Sequence, residues 1–378
     1  MAIALAGEDS RHQFKRIVTN ADALAAEMAA FLNSSGGTIY VGLEDKIGEM
    51  RPLDADAVAR VNQLISNAAT NNVKPAFDPV VENVVIDGGV VMCVKIPKGI
   101  VKPYMTNDGV VWVKVGADKR RVTAKEELLR MFQETGVLHG DEMPVPNTSI
   151  ADLDMRYFKD VFETLTDVPL ASQQLDVSQL LTNMNLLRDG EASVAGMVLF
   201  GGESIRYKFP RAAVKVAVFN GTDETVDSYL SRSEFAGKMS DVYQRTISFC
   251  MGQVYRFQMG MSVNSAGDPE IPQIVFQELV TNALVHRDFM VNDTVKVMFF
   301  RDRIDIVSPG HLPNSLTVTN ILSGNSCARN SVLLSYATRL LQFSGFGSGI
   351  RRALKAYPAI EFIDERDKNR FMARIKRK

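Results

Sequence analysis

Apolar side chains recur at helical spacing over residues 20–35, with Leu24, Met28, Phe31 and Leu32 on one face and Asn20 or Asp22 placed to cap the start. Gly36-Gly37 stops that helix, and 38–42 reads as a strand. A second helix is predicted over 54–69, where Val58, Val61, Leu64 and Ile65 share a face. Strands over 80–86, 90–96 and 110–115 follow, the first two joined as a hairpin at Asp87-Gly88-Gly89. Thr123 and Glu126 are spaced as a capping box for a helix reaching Glu134. This order predicts a compact α+β unit. Residues 139–148 are polar and contain Pro144 and Pro146, the pattern of a linker. Residues 152–187 then read as helical in pieces, interrupted near Pro169. Beyond them the pattern predicts strands over 194–200 and 212–218, a long helix over 235–257, a helix over 271–285 and strands over 294–300 and 303–307. Helices over 333–343 and 350–356 and strands over 359–364 and 370–375 close the chain. The expected class is α+β, with domains at 1–138 and 191–378 and a linker and helical connector at 139–190.

Length and composition fit that division. The chain has 378 residues, 46% hydrophobic and 23% charged, which suits two or three globular domains and excludes a disordered or fibrous protein. Its longest apolar runs, such as 192–202, are too short and too interrupted to span a bilayer. The first six residues are apolar, but Glu8 and Asp9 follow with no basic flank, so no signal peptide is expected. Cys93, Cys250 and Cys327 are odd in number and far apart, which argues against a disulfide framework. A cytoplasmic protein with no membrane partner is the expectation. The net charge of −1 hides segregation: residues 1–125 hold 15 basic and 14 acidic side chains, 126–285 hold 12 and 22, and 286–378 hold 16 and 8. Two basic stretches therefore flank an acidic middle, as polyanion partners or ordinary solvated faces would each allow.

The run Glu8-Asp9-Ser10-Arg11-His12-Gln13-Phe14-Lys15, followed by Phe31-Leu32-Asn33-Ser34-Ser35-Gly36-Gly37-Thr38-Ile39-Tyr40-Val41-Gly42-Leu43-Glu44-Asp45, resembles the Schlafen AlbA-like domain. Lys102-Pro103-Tyr104 and Val113-Lys114-Val115-Gly116 fit its later part, so the likeness covers roughly 7–135. The resemblance implies an AlbA-like α/β domain that binds nucleic acid, most readily DNA, and one that often pairs as a homodimer. The basic candidates for phosphate contact are Lys15, Arg16, Lys98, Lys102, Lys114, Lys119, Arg120 and Arg121. Tyr104 and Trp112 either pack on their own sheet or stack on bases. In eukaryotic relatives two glutamates and an aspartate form a metal-dependent RNA-cleaving site. The matching positions here are Glu8, Gln13 and Asp45, and the neutral Gln13 weakens a metal-dependent nuclease as an alternative.

A second constellation lies downstream. Glu278 and Asn282 are four apart on a predicted helix and so share a face. Arg303-Ile304-Asp305-Ile306-Val307-Ser308-Pro309-Gly310 is a strand ending in a glycine turn, and Gly345-Phe346-Gly347-Ser348-Gly349 opens a helix with backbone N–H groups suited to phosphate. With His286-Arg287-Asp288, Leu312-Pro313, Ser326, Arg329 and Asn330, the set resembles a divergent branch of the GHKL (Bergerat) ATPase superfamily, joined to AlbA-like domains in bacterial proteins labelled RecG-like helicases or transcriptional regulators. The resemblance implies a GHKL-like α/β sandwich with ATP and magnesium as cofactors. Glu278 would be the general base and Asn282 the magnesium ligand. Ser308 stands where the superfamily's adenine-reading aspartate does, beside Gly310, and Gly345, Gly347 and Gly349 would cradle phosphates. No GxxxxGK[ST] loop exists, so a translocating helicase is not expected. The leading expectation is a DNA-binding transcriptional regulator whose C-terminal domain binds nucleotide. The main alternative is a magnesium-dependent ATPase using Glu278.

Overall fold

The computed structural model describes residues 7–45, 49–136, 138–223, 229–257, 267–313, 316–341 and 347–377. Contacts divide the chain into two compact units, Met1–Leu138 and His139–Lys378. The class is α+β, as expected.

The first unit is built around a four-stranded sheet. β1 (His12–Lys15) leads to α1 (Ala21–Asn33), then β2 (Gly37–Val41), α2 (Ala55–Asn67), β3 (Val80–Ile86) and β4 (Gly89–Ile96). Sheet order is β1-β2-β4-β3, with β1 and β2 parallel and the other pairs antiparallel. A hairpin of β5 (Trp112–Val115) and β6 (Asp118–Arg121) precedes α3 (Lys125–Glu134). Asn20 caps α1 by accepting from the Asp22 and Ala23 N–H groups. Leu24, Met28, Phe31 and Leu32 are buried among Ile39, Val41, Met92 and Val94. Burial of each such side chain contributes roughly 1.5–3 kcal/mol. Gly36 has φ +72°, and a Cβ there would lie 2.7 Å from the Lys98 backbone nitrogen, so only glycine makes this turn beside the neighbouring strand end. Thr123 does not cap α3; Ala124 holds the cap position without a side-chain bond.

In the second unit, α4 (Met155–Thr166), α5 (Val177–Asn183) and α6 (Val194–Phe200) precede β7 (Val214–Phe219) and β8 (Tyr229–Phe235). α7 (Met239–Gln253), α8 (Gln273–His286), β9 (Val295–Phe299) and β10 (Arg303–Pro309) follow. The chain continues through α9 (Ser331–Leu340) and α10 (Gly349–Ala356) to β11 (Ile360–Glu365) and β12 (Arg370–Lys376). The six-stranded sheet has the order β8-β7-β9-β10-β12-β11; β7 and β9 are parallel and the rest antiparallel. One sheet face carries Ile304, Ile306 and Ile375 into the core shared with α8. The opposite face holds the smaller cluster of Phe219, Met298, Phe300, Val307 and Met372.

Two further expectations are corrected. Residues 194–200 form a helix, not a strand: all seven are buried, so an apolar run showed no period, and Ser193 caps it by accepting from Gly196 N–H. The long helix predicted over 235–257 is α7 alone, because the chain up to Phe235 is the sheet-edge strand β8. Residues 139–190 bring Val145, Leu153, Phe158, Phe162 and Leu181 into the same core as α8 and β9. Among the described residues, no helix is long and apolar enough to cross a membrane.

Candidate functional site

The second unit encloses a cleft between the sheet and α8, α9 and α10. Leu279, Asn282, Ala283 and His286 line it from α8, at the i, i+3, i+4, i+7 spacing that puts them on one helical face. Ile306 and Ser308 line it from β10, where the two-residue period turns both side chains toward α8. Phe362 from β11 and Phe371 and Ala373 from β12 add an apolar floor, and Gly310, Asn325, Ser326, Arg329, Gly347, Gly349 and Ile350 form the polar and glycine-bordered rim.

The tertiary structure thus brings Asn282, Ser308, Gly310, Gly347 and Gly349 together; Gly345 lies outside the described residues. The Asn282 amide nitrogen is buried without a hydrogen-bond partner. Ser308 donates its hydroxyl proton to the Ala283 carbonyl at 3.1 Å, leaving the oxygen's lone pairs as what it offers the cleft. Gly347 has φ +66°, and a Cβ there would lie 2.4 Å from the Gly324 carbonyl oxygen, so two backbone segments meet where only glycine fits. Burial, helped by the Arg329 guanidinium, pushes His286 down to about 4, so its imidazole is neutral near pH 7. Arg329 donates to the His311 carbonyl at 2.8 Å, and Asn330 to the Val285 and Arg287 carbonyls, each at 2.8 Å. These bonds fix the end of α8 against the loop that borders the cleft.

Glu278 takes a different place. It does not line the cleft; its Oε1 meets Arg352 Nη2 of α10 at 2.7 Å, and its Oε2 is buried without a partner. Burial raises its carboxyl above the usual range, with the Arg352 guanidinium pulling the other way. Arg287, singled out only as part of a motif, is the largest fully buried side chain among the described residues. It donates to the Arg211 and Asp293 carbonyls and stacks over Phe289, pinning the chain after α8. Its burial signal was absent from the sequence, because arginine is ordinarily exposed.

In the first unit the predicted cations are mostly engaged. Lys102 is buried and donates to the Asn33 and Ser34 carbonyls. Lys114 donates to Gln13 Oε1 at 2.7 Å and to the Ala117 carbonyl, and burial lowers its ammonium below the usual lysine value. Lys119 pairs with Glu27 at 2.6 Å, Arg120 with Glu127 at 2.8 Å, Lys15 with Asp45 at 3.2 Å and Arg16 with Glu44 at 3.9 Å. Lys98 is exposed beyond β4. Trp112 lies half-buried between Arg121 and Lys119, 5.1 and 5.6 Å from its ring, whereas Tyr104 is buried. Gln13 donates to Glu8 Oε1 at 2.6 Å, so the amide joins a carboxylate to the Lys114 ammonium. Among the described residues no group of three or more histidine, cysteine, aspartate or glutamate side chains could hold a metal ion.

Part of the C-terminal basic set is likewise paired inside its own unit. Arg303 and Arg374 pair with the buried Asp305, Arg377 with Glu270, and Lys368 and Arg370 with Glu365.

The fold and its sites define a two-domain α+β protein: a compact first domain with a cationic, aromatic hairpin, and a mixed-sheet second domain with a glycine-bordered cleft. Residues 8–123 match the Schlafen AlbA_2 family, and residues 292–372 match the family described as "Putative ATP-dependent DNA helicase recG C-terminal". The chain therefore joins an N-terminal Schlafen AlbA_2 domain to a C-terminal domain of the recG C-terminal type. Glu278 and Asn282 precede the matched C-terminal segment. Among solved structures, the DIP2311 protein from Corynebacterium diphtheriae is 22% identical, with 97% of this chain and 75% of that chain covered and a TM-score of 0.46. The N-terminal domain of a "Putative ATP-dependent DNA Helicase RecG-related Protein" from Nitrosomonas europaea is 17% identical, with 31% of this chain and 86% of that chain covered and a TM-score of 0.25. No curated protein matches the sequence.

Proposed function

We propose that the chain is a DNA-associated, nucleotide-binding protein of the transcriptional-regulator type, in which the C-terminal cleft takes ATP and the AlbA_2 domain contacts the nucleic acid. The convergence of Asn282, Ser308, Gly310, Gly347 and Gly349 from three separate stretches of chain onto one cleft carries the nucleotide half. An apolar floor with a few polar groups at its rim suits a flat heterocycle, and the N-terminus of α10 behind Gly347 and Gly349 suits phosphate. The orphaned Asn282 amide fits a group that completes its hydrogen bonding or coordination. Magnesium, when bound with ATP, would take the Asn282 side-chain oxygen together with phosphate oxygens and water, in keeping with that ion's small demand for protein ligands. Calorimetry with ATP and magnesium tests this: the wild type binds, and Gly347→Val loses binding because its side chain meets the Gly324 carbonyl. Absence of wild-type binding removes the nucleotide reading. A salt titration of duplex DNA binding tests the other half, with affinity expected to fall steeply as salt rises.

A second reading, ATP hydrolysis, draws on Glu278. Burial raises its carboxyl above the ordinary carboxylate value, the direction that favours a water activator. Arg352 holds it away from the cleft, so hydrolysis requires that pair to part. Glu278→Ala is then expected to stop phosphate release while ATP still binds; an unchanged rate excludes the role.

A further inference from the structure

The two edges of the first unit's four-stranded sheet are unlike. β1 is four residues long and carries His12 and Lys15, the short, charged kind of edge that does not recruit another strand. β3, at the other edge, runs seven residues as Val80-Val81-Glu82-Asn83-Val84-Val85-Ile86, with no proline or lysine within it. Val80 is 58% exposed, Val84 46% and Val85 80%. The one charged side chain of the strand, Glu82, is paired with Lys95 of β4 at 2.6 Å. Among the described residues no strand pairs with the outer side of β3.

Backbone alternation fixes what that outer side offers. Val90 of β4 exchanges two hydrogen bonds with Leu53, at 2.8 and 2.9 Å, on the side away from β3. Its cross-strand neighbour Val85 is therefore not bonded to β4, and neither are Asn83 and Val81, which share its parity. These three residues turn their N–H and C=O groups outward. Their side chains share one sheet face, where Val81 packs against the core beneath α1 and α2. Val80, Glu82, Val84 and Ile86 share the other face, where Ile86 packs against Phe14, Leu43 and Val91.

We propose that a second copy of this chain covers the edge: two β3 strands pair antiparallel about a two-fold axis at Asn83, joining the two four-stranded sheets into one of eight strands. The sequence of the strand selects this occupant, because it complements itself. Centred on Asn83, Val81 opposes the second copy's Val85, Val80 opposes its Ile86, and the two Asn83 amides, each both donor and acceptor, oppose one another. Each exposed valine is thereby set against the rim of the other copy's apolar cluster, Val85 beside Val81 and Val80 beside Ile86. A shift of the axis to Glu82 sets two carboxylates face to face, and a shift to Val84 sets Val81 against Asp87 and Glu82 against Ile86. The outward groups of Val81, Asn83 and Val85 then form about six hydrogen bonds between the copies. The pairing needs neither nucleotide nor nucleic acid.

The test is sedimentation equilibrium of the full chain from about 1 to about 200 μM, the range in which an interface of one strand pair associates. The wild type is expected to show a monomer–dimer equilibrium. Val85→Lys alters an exposed position, and Asn83→Pro removes an N–H that β4 does not use, so both keep the circular dichroism of the wild type and weaken dimerisation at least about tenfold. Cysteine substitution reads the register. Opposed residues of a hydrogen-bonded pair have Cα atoms about 5.5 Å apart, so Asn83→Cys forms a covalent dimer on mild oxidation, above the baseline set by the native cysteines. Val85→Cys does not, because the two copies of that residue stand roughly 13 Å apart along the strands. A wild type that stays monomeric throughout, Val85→Lys and Asn83→Pro variants that dimerise as the wild type does, or equal cross-linking of the two cysteine variants overturns the proposal.

Discussion

Removing the Arg352 guanidinium isolates a buried carboxylate, and the consequence depends on pH. Glu278 is 4% exposed, with Oε1 on Arg352 at 2.7 Å and Oε2 unpartnered. Breaking a fully buried pair costs about 3–5 kcal/mol. The Arg352 side chain is 42% exposed, so solvent screening reduces the expected loss in Arg352→Met to roughly 1–2 kcal/mol near neutral pH. At about 2–4 °C per kcal/mol for a unit of this size, the melting temperature falls by about 2–8 °C. The carboxyl already titrates above its ordinary value of 4.5, because burial outweighs the arginine; without the arginine it rises further. A raised folded-state value means that stability is complete at low pH and lost as pH rises through that value. The deficit of R352M is therefore larger at pH 8 than at pH 5, and it vanishes when Glu278→Gln is added, since no charge remains to be stranded. Thermal unfolding of the wild type, R352M and R352M/E278Q at the two pH values measures this. An equal deficit at pH 5 and pH 8 would refute the argument that Arg352 sustains a buried charge.

Two further outcomes follow from buried polar groups. Asp141 is fully buried, accepts from Leu333 N–H at 2.9 Å and is pushed by burial from 3.8 up to about 6; the fold therefore loses stability as pH rises from 4 to 6, and Asp141→Asn is expected to flatten that decline, worth roughly 1–3 kcal/mol, in denaturant titrations across the window. Asn330→Ala removes two bonds to the end of α8 and leaves the Val285 and Arg287 carbonyls without that donor, so it is expected to cost about 2–3 kcal/mol in urea unfolding and to weaken any ligand held by the Arg329 rim.

The sequence by itself determined the α+β class, the two glycine-bordered motif regions and most regular elements, because periodic burial writes itself into the order of residues. Leu24, Met28, Phe31 and Leu32 are such a case, and all four are buried. It was silent where period carries no information. Val194–Phe200 is apolar all round and is a helix, while the polar β8 is a strand because its backbone completes the sheet edge beside β7. The i,i+4 spacing placed Glu278 and Asn282 on a common side of α8, yet only Asn282 reaches the cleft. A helix face is wide, and the position of α10 decides that Glu278 meets Arg352 instead. Charge counting found both basic stretches, but a count has no partners in it. Tertiary contact places Asp305, Glu365 and Glu270 beneath the C-terminal arginines and Glu27 beneath Lys119. Pairing is a matter of distance, and distances between residues far apart in the chain exist only once it has folded.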